Sequence, residues 1–273
     1  MLNSSITNPA ITRSLWHVVF GTVSMALVTL SGCFDYVKVE TGLSHYAEKP
    51  FWGREDVLPA WLPMPANSVV NLGYVLVGLY WIAVIRRINQ MRPTVVNEHD
   101  AYVFYVFSWM SILYGFVQCS RILAQHQLLA VLDQWYTMPI FAWVGVWSCH
   151  ILFGWNTFRM LAIIIASVST YMMSIVSRFG FEIALTCHIF SVIFCAMAVY
   201  KRNPTHTTQA AFIKGVICCA GFVVLKLLDE TLAEWSVFFT YLSGHFWSKI
   251  ADFLQVHYTC LFFLSSTEKL HSV

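Results

Sequence analysis

Charge is what this sequence has least of. Asp, Glu, Lys and Arg make up 11% of its 273 residues, against roughly a quarter in a soluble domain, so it has too little charge to clothe an ordinary water-facing surface. The formal net charge is +2, with no basic patch interleaved with aromatics. That excludes a polyanion-binding field, and nucleic acid is not an expected partner. Also missing are a C-x-x-C pair, G-x-S-x-G, H-E-x-x-H, a P-loop and a dinucleotide fingerprint. Thiol redox, serine-hydrolase, zinc-protease and nucleotide chemistries therefore have no anchor, and no cofactor is expected. No repeat of 20–50 residues and no low-complexity tract is present.

What the sequence has instead is hydrocarbon. Apolar residues make up 58% and mean hydropathy is +0.64. A bilayer crossing takes about 20 apolar residues, and eight stretches qualify: 14–34, 67–85, 101–124, 132–154, 158–177, 181–200, 209–232 and 246–266. The predicted fold is all-α, a polytopic transmembrane helix bundle of seven core spans plus one N-terminal span. Residues 1–66 are read as the N-terminal span and a polar loop holding "PFWGRED" and "PAWLPMP"; residues 67–273 are read as the seven-span bundle. Arg13 followed by "LWHVVFGTVSMALVTL" and "SGC" also fits a signal peptide with its cleavage site. Either reading puts residues 35–66 on the lumenal or outer side.

Lys and Arg near span ends divide eight against five, led by Arg86, Arg87 and Arg92 after the second span. Both termini are therefore expected to be cytoplasmic, in a secretory-pathway or plasma membrane. On that topology the sequon Asn3-Ser4-Ser5 stays unmodified. The eight cysteines, nearly all inside spans, read as small apolar packers.

Ionisable residues inside spans are costly and mark a site or an interhelical pair. Here they gather at span ends on one side of the expected topology. Asn67 and Asn71 open the second span one turn apart, and Gln118 and Arg121 close the third. Asp133 opens the fourth; Lys226, Asp229 and Glu230 close the seventh. His245, Lys249 and Asp252 open the eighth at i, i+4 and i+7, on one helix face. Two readings stand. Either these residues pair and fix helix packing, with Lys226–Glu230 or Lys249–Asp252 satisfying each other locally, or they line a cavity for a lipid, ion or other ligand. His17, His150 and His188 read as packing histidines, and Glu182 as an interfacial residue.

Along residues 65–266 these pieces resemble, in order, the alkaline ceramidase group. They also resemble its wider superfamily of seven-span membrane hydrolases and receptors, which includes the progestin/adiponectin receptors and GPI-remodelling proteins. The group's Asn-x-x-x-Asn-Leu is matched by Asn67, Asn71 and Leu72. Its Leu-Asp-Glu-Leu-Pro-Met is matched by Leu132 and Asp133, with Met138-Pro139 shifted. Its Gly-Phe run before an Asp is matched by Gly221, Phe222 and Asp229, and its His-x-Trp-x-His by His245, Trp247 and Lys249. Strings such as "MPANSVVN", "VLDQW" and "GFVVLKL" further resemble one vertebrate family of multi-pass membrane proteins, a likeness that carries an architecture and no chemistry.

The superfamily resemblance implies a zinc held by three histidines, with a Ser and an Asp assisting its water. The departures fall on those ligands. Lys249 stands for the second His, and Gln118 and Ile122, with Arg121 beside them, stand where the Ser and another His belong. His245 is the only retained candidate ligand, and His257 lies three turns deeper. One imidazole beside an ammonium does not hold a dication. The expectation is a zinc-free, non-catalytic relative in which Lys249 takes the metal's place, pairing with Asp133 or Asp252. A lipid hydrolase with a rearranged metal site, and a small-molecule receptor or transporter, are the alternatives. The expected partners are membrane lipids; no protein partner is legible.

Overall fold

The computed structural model describes residues 9–42, 45–49, 62, 64–92, 95–202 and 204–270, the last three by backbone alone. The sequon at Asn3 and the "PFWGRED" stretch lie outside the described residues. Among the described residues the chain forms helices and no strand: α1 (Pro9–Leu30), α2 (Pro65–Val69), α3 (Leu72–Met91), α4 (Glu98–Ala124), α5 (Gln127–Phe153), α6 (Thr157–Thr170), α7 (Met173–Val176), α8 (Gly180–Arg202), α9 (His206–Leu227), α10 (Asp229–Trp235), α11 (Phe238–Tyr241) and α12 (Gly244–Leu270).

Several helix starts carry a polar residue that satisfies an amide with no partner inside its own helix. Asn97 begins α4 with a capping box, exchanging side-chain and backbone hydrogen bonds with Asp100. Thr205 and Thr208 do the same for α9, and Asn156 accepts from Arg159 N–H at the start of α6. Between α4 and α5 the link is only Gln125, at φ +49°, and His126, whose ring accepts from Leu128 N–H. That tight turn sets the end of α4 beside the start of α5.

Among the described residues seven stretches are long and apolar enough to cross a membrane: α1, Pro65–Met91, α4, α5, Thr157–Val176, α8 and α9. α12 is the eighth long helix. Its 27 residues extend about 40 Å, and it runs along α9 and α3 with Lys249 and Asp252 lowering its hydropathy. This is an integral membrane helix bundle. Span ends differ from the sequence reading by a few residues throughout, and two of these differences bear on the site. The second span runs on to Met91 and is broken near its start, where Tyr74 N–H bonds to Asn71 O at 3.2 Å, three residues back. The seventh ends at Leu227, because Leu228 leaves helical geometry (φ −94°, ψ 10°) and α10 starts afresh at Asp229.

α4 and α5 are the inner pair, 72% and 67% buried over their apolar windows against 17–39% for the other spans. α1 lies across both, α3 packs on α4, and α6 and α8 pack on α5. Lipid tails are as apolar as leucine, so close packing rather than the hydrophobic effect holds helices together within the bilayer. At Gly78 of α3 a Cβ would lie 2.6 Å from Ser108 O of α4. Only glycine permits that approach. Near α4 and α5 the aromatics interlock, Trp147 lying 4.3 Å from Phe104 edge-on and 4.2 Å from Phe263 face-on, centroid to centroid.

Candidate functional site

The short α4–α5 turn brings Arg121 and Asp133, 12 residues apart, to one place. The Arg121 guanidinium pairs with Asp133 Oδ2, and Gln118 Nε2 donates to Asp133 Oδ1. Both side chains of the ion pair are sequestered, 13% and 5% exposed. The network goes deeper: Gln118 Nε2 also reaches the Tyr114 hydroxyl, which lies 3.2 Å from Thr137 Oγ1. Removing one member of a buried ion pair costs about 3–5 kcal/mol, because the other charge is left without compensation.

α12 begins at the same end of the bundle, packed along α9 and α3. Asp229 Oδ1 accepts from His245 N–H at 2.7 Å and Ser243 Oγ from Phe246 N–H at 3.2 Å, which caps the helix. A Cβ at Gly244 would sit 2.6 Å from Leu225 O and 2.9 Å from Asp229 Cα, so glycine lets α12 start against the end of α9. Two turns in, Tyr74 of α3 donates to Asp252 Oδ2 at 2.5 Å. Tyr74 and Tyr114 meet edge to face at 5.2 Å, joining the Asp133 and Asp252 halves. Tyr74, Ser111, Tyr114, Thr137, Phe141 and Asp252 are among the residues around a small cavity of about 10 Å³, the room of about one water. A second, apolar cleft of about 50 Å³ lies between α5, α8, α9 and α12, and Phe141 lines both.

Asn67, Asn71, Gln118, Arg121, Asp133, Lys226, His245, Lys249 and Asp252 thus share one end of the bundle, with Asp229 at its rim. The pairings differ from those the sequence suggested. Lys249 is 2% exposed, yet among the described residues it has no ion pair within 4 Å and no hydrogen bond. Asp133, Asp252, Lys226 and Arg121 act on it only through space, and its ammonium lies 5.9 Å from the ring centroids of Tyr114 and Phe222. The expectation that Lys249 pairs with Asp133 or Asp252 is corrected: Arg121 holds the first and Tyr74 binds the second. Local pairing of Lys226 with Glu230 also fails, because the break at Leu228 puts them on different helices. Asn71 Nδ2 bonds to Asn67 O at 2.8 Å and Asn67 Nδ2 to Ser243 Oγ at 3.5 Å. The Oδ1 atoms of both asparagines are buried without a partner among the described residues.

Comparison with known proteins fits this architecture. The model of the TMEM187 protein family matches residues 14–264. The human protein "Transmembrane protein 187" is 38% identical over 255 residues, 93% of each chain. The chain belongs to the TMEM187 protein family. "Transmembrane protein 187" of Bos taurus is likewise 38% identical, over 93% of this chain and 96% of its own. No solved structure matches the chain.

For this TMEM187 family member the donor set does not suit the zinc of the resembling hydrolases. Among the described residues no three His, Cys, Asp or Glu side chains converge as ligands. His245 faces Tyr46 edge-on at 4.9 Å, Ile122 is hydrocarbon at 1% exposure, and Lys249 brings an ammonium. His257 is 12 residues from His245, about 18 Å along the helix, and packs beside Tyr80 and Trp81. His17, His150 and His188 do act as packing histidines with polar partners: Tyr102 at 2.6 Å, Asp100 at 2.7 Å and Ser167 at 2.8 Å. Glu182 is exposed in the first turn of α8.

Sequence reading missed Tyr46 and Glu48 in the loop and Tyr74, Tyr114, Ser111 and Thr137 in the spans. Tyr74 follows Asn71 by one turn and Tyr114 precedes Gln118 by one, a spacing that could have found them. Glu48 had no such signal. Its oxygens accept from Ala66 N–H and Asn67 N–H, both at 2.9 Å. Burial, helped by the Asp229 carboxylate and opposed by those two amides, pushes Glu48 up to about 7. Burial likewise raises Tyr46, against the pull of Arg121.

Proposed function

We propose that this chain is a non-catalytic, zinc-free relative of the membrane hydrolases that binds a membrane lipid, with the polar cluster taking the lipid's head. The observation that carries this is Lys249, a sequestered ammonium at the position of a zinc ligand, with no counter-ion within 4 Å among the described residues. Within the long spans Arg121, Lys226 and Lys249 are set against Asp133 and Asp252, with exposed Glu182 acting on Lys226 and Asp229 at the rim engaged by the His245 and Ala47 amides. A cluster serving packing alone gains nothing from a third cation, since each buried charge costs several kcal/mol of hydration. The orphan acceptors of Asn67 and Asn71 supply further unused hydrogen-bonding capacity. The head group that suits them both donates and accepts. The apolar cleft, which shares the Phe141 wall with the small cavity beside Asp252, is where an acyl chain would enter.

The test is lipid extraction and mass spectrometry of protein purified into nanodiscs, with elemental analysis of the same sample. The expected result is a lipid retained at a fixed molar ratio and zinc far below one per chain. Lys249→Met should lose that lipid. So should Gly215→Phe, because a Cβ at Gly215 meets nothing closer than Tyr258 Cβ at 3.8 Å and the ring would enter the cleft. Stoichiometric zinc that disappears in His245→Ala, or a lipid ratio indifferent to both variants, would overturn the reading.

A further inference from the structure

Residues 45–49 lie against the ends of five helices, α2, α4, α10, α11 and α12. Ala47 N–H donates to Asp229 Oδ2 at 3.1 Å, the carboxylate whose other oxygen caps α12 at His245. Glu48, 8% exposed, spreads its two oxygens over the first amides of α2, Ala66 and Asn67. Lys49 N–H donates to Thr240 O of α11 at 2.6 Å. Tyr46 meets the His245 ring edge to face at 4.9 Å, and the Arg121 charge at the end of α4 acts on its hydroxyl. A five-residue segment with this many ties closes the end of the bundle above Lys249 and Asp133.

The charges around it are unbalanced. Glu48 faces the Asp229 carboxylate from the start of α10 and has no ion pair within 4 Å among the described residues. From α12 the nearest titratable group is His245, set against Tyr46. From α4 and α5, Arg121 and Asp133 act on Tyr46. Lys49, on the segment itself, is exposed.

We propose that residues 45–49 are a proton-operated clasp, closed over the cluster while Glu48 carries a proton and released as Glu48 ionises. The contacts place Glu48 where an ionised carboxylate gains two amides but loses its water and meets Asp229. At 8% exposure the carboxylate has lost nearly all of that water, and this loss outweighs the two amides, raising it to about 7 from an ordinary 4.5. A raised carboxyl binds its proton more tightly in the closed state. The clasp is therefore fully favoured below about 4.5 and loses that support as pH rises through about 7. It stands on its own contacts and does not rest on what the cluster binds.

The experiment is hydrogen–deuterium exchange of the full chain in nanodiscs, read at the Ala47 and Lys49 amides from pH 4.5 to 8 and corrected for intrinsic exchange rates. Protection should fall by up to about two orders of magnitude across that range. Glu48→Gln, which cannot ionise, should flatten the dependence. Asp229→Asn should lower protection at every pH by weakening the Ala47 tie, while leaving a slope. A parent protein with no slope, or Glu48→Gln with the parent's slope, overturns the clasp. Where Glu48→Gln fails to fold, the parent decides: a fall lying mostly between about 4.5 and 7 supports Glu48, and one confined to the range above about 7 assigns the change to another group and overturns it.

Discussion

At the end of the bundle where α4 begins, ionisable and ring groups meet partners at close range. Asp100 caps α4 and takes the His150 ring at 2.7 Å, His17 meets the Tyr102 hydroxyl at 2.6 Å, and Arg13 lies 3.5 Å from Glu98 at the surface. Arg13 also stacks over the Tyr102 ring at 4.6 Å. At the end where α4 stops, Asp133 and Asp252 are bound, but Lys249 is not, and two asparagine oxygens have no partner. The first end uses polarity to cap and clamp helices. Orphan acceptors and donors occur at both ends, Asn89 Oδ1, Tyr105 Oη and His150 Nδ1 lying at the first. The difference therefore rests on Lys249, a buried cation without an ion pair within 4 Å among the described residues, and that surplus is what the lipid reading proposes to use.

The comparison can be broken most forcefully at the ion pair. Arg121→Met strands Asp133 with Gln118 and the more distant lysines, and should cost about 3–5 kcal/mol, read as a lower unfolding midpoint in detergent. Arg121→Lys should recover only part of this, since a single ammonium cannot reproduce the guanidinium fork that spans Asp133 and Glu40 O. An Arg121→Met protein as stable as the parent would mean that water, not Arg121, compensates Asp133.

At the other end Asp100→Ala removes a capping box and the His150 contact together. A loss of about 1–3 kcal/mol is expected, with no change in retained lipid. A variant that kept its stability but shed lipid would place binding at the wrong end of the bundle. The smallest effect belongs to Arg13→Ala, whose ion pair is 52% and 66% exposed. It should move the midpoint by no more than an exposed pair and a cation–ring contact provide, under about 1 kcal/mol, and less in high salt. A salt-insensitive loss would show a tighter clamp than the geometry contains.

Depth within the membrane was legible and azimuth was not. Hydrocarbon forces helices of about 20 residues to declare themselves, and scarce charges made Asn67, Asn71, Gln118, Arg121, Asp133, His245 and Lys249 visible at one level. Which of them touch depends on helix rotation, and rotation is set by packing at positions such as Gly78 and Gly244, where no charge marks the choice. The break at Leu228 had no proline or glycine to announce it, so Lys226 and Glu230 were read as neighbours on one helix. Tyr74 and Tyr114 were hidden among many span aromatics. Glu48 acts through distant amides of α2, a partnership that no local periodicity records.

Lys249 separates the two accounts of the cluster most directly. The measurement is the thermal unfolding midpoint of Lys249→Met beside the parent and Arg121→Met in the same detergent, stripped of lipid. Removing the third cation leaves Arg121 and Lys226 facing Asp133 and Asp252, and methionine fills the space without a buried charge. The account therefore predicts a midpoint equal to or above that of the parent, as expected where a binding residue is held at the expense of stability. A fall as large as that of Arg121→Met would contradict it, making Lys249 a pillar of the bundle and the cluster a packing device.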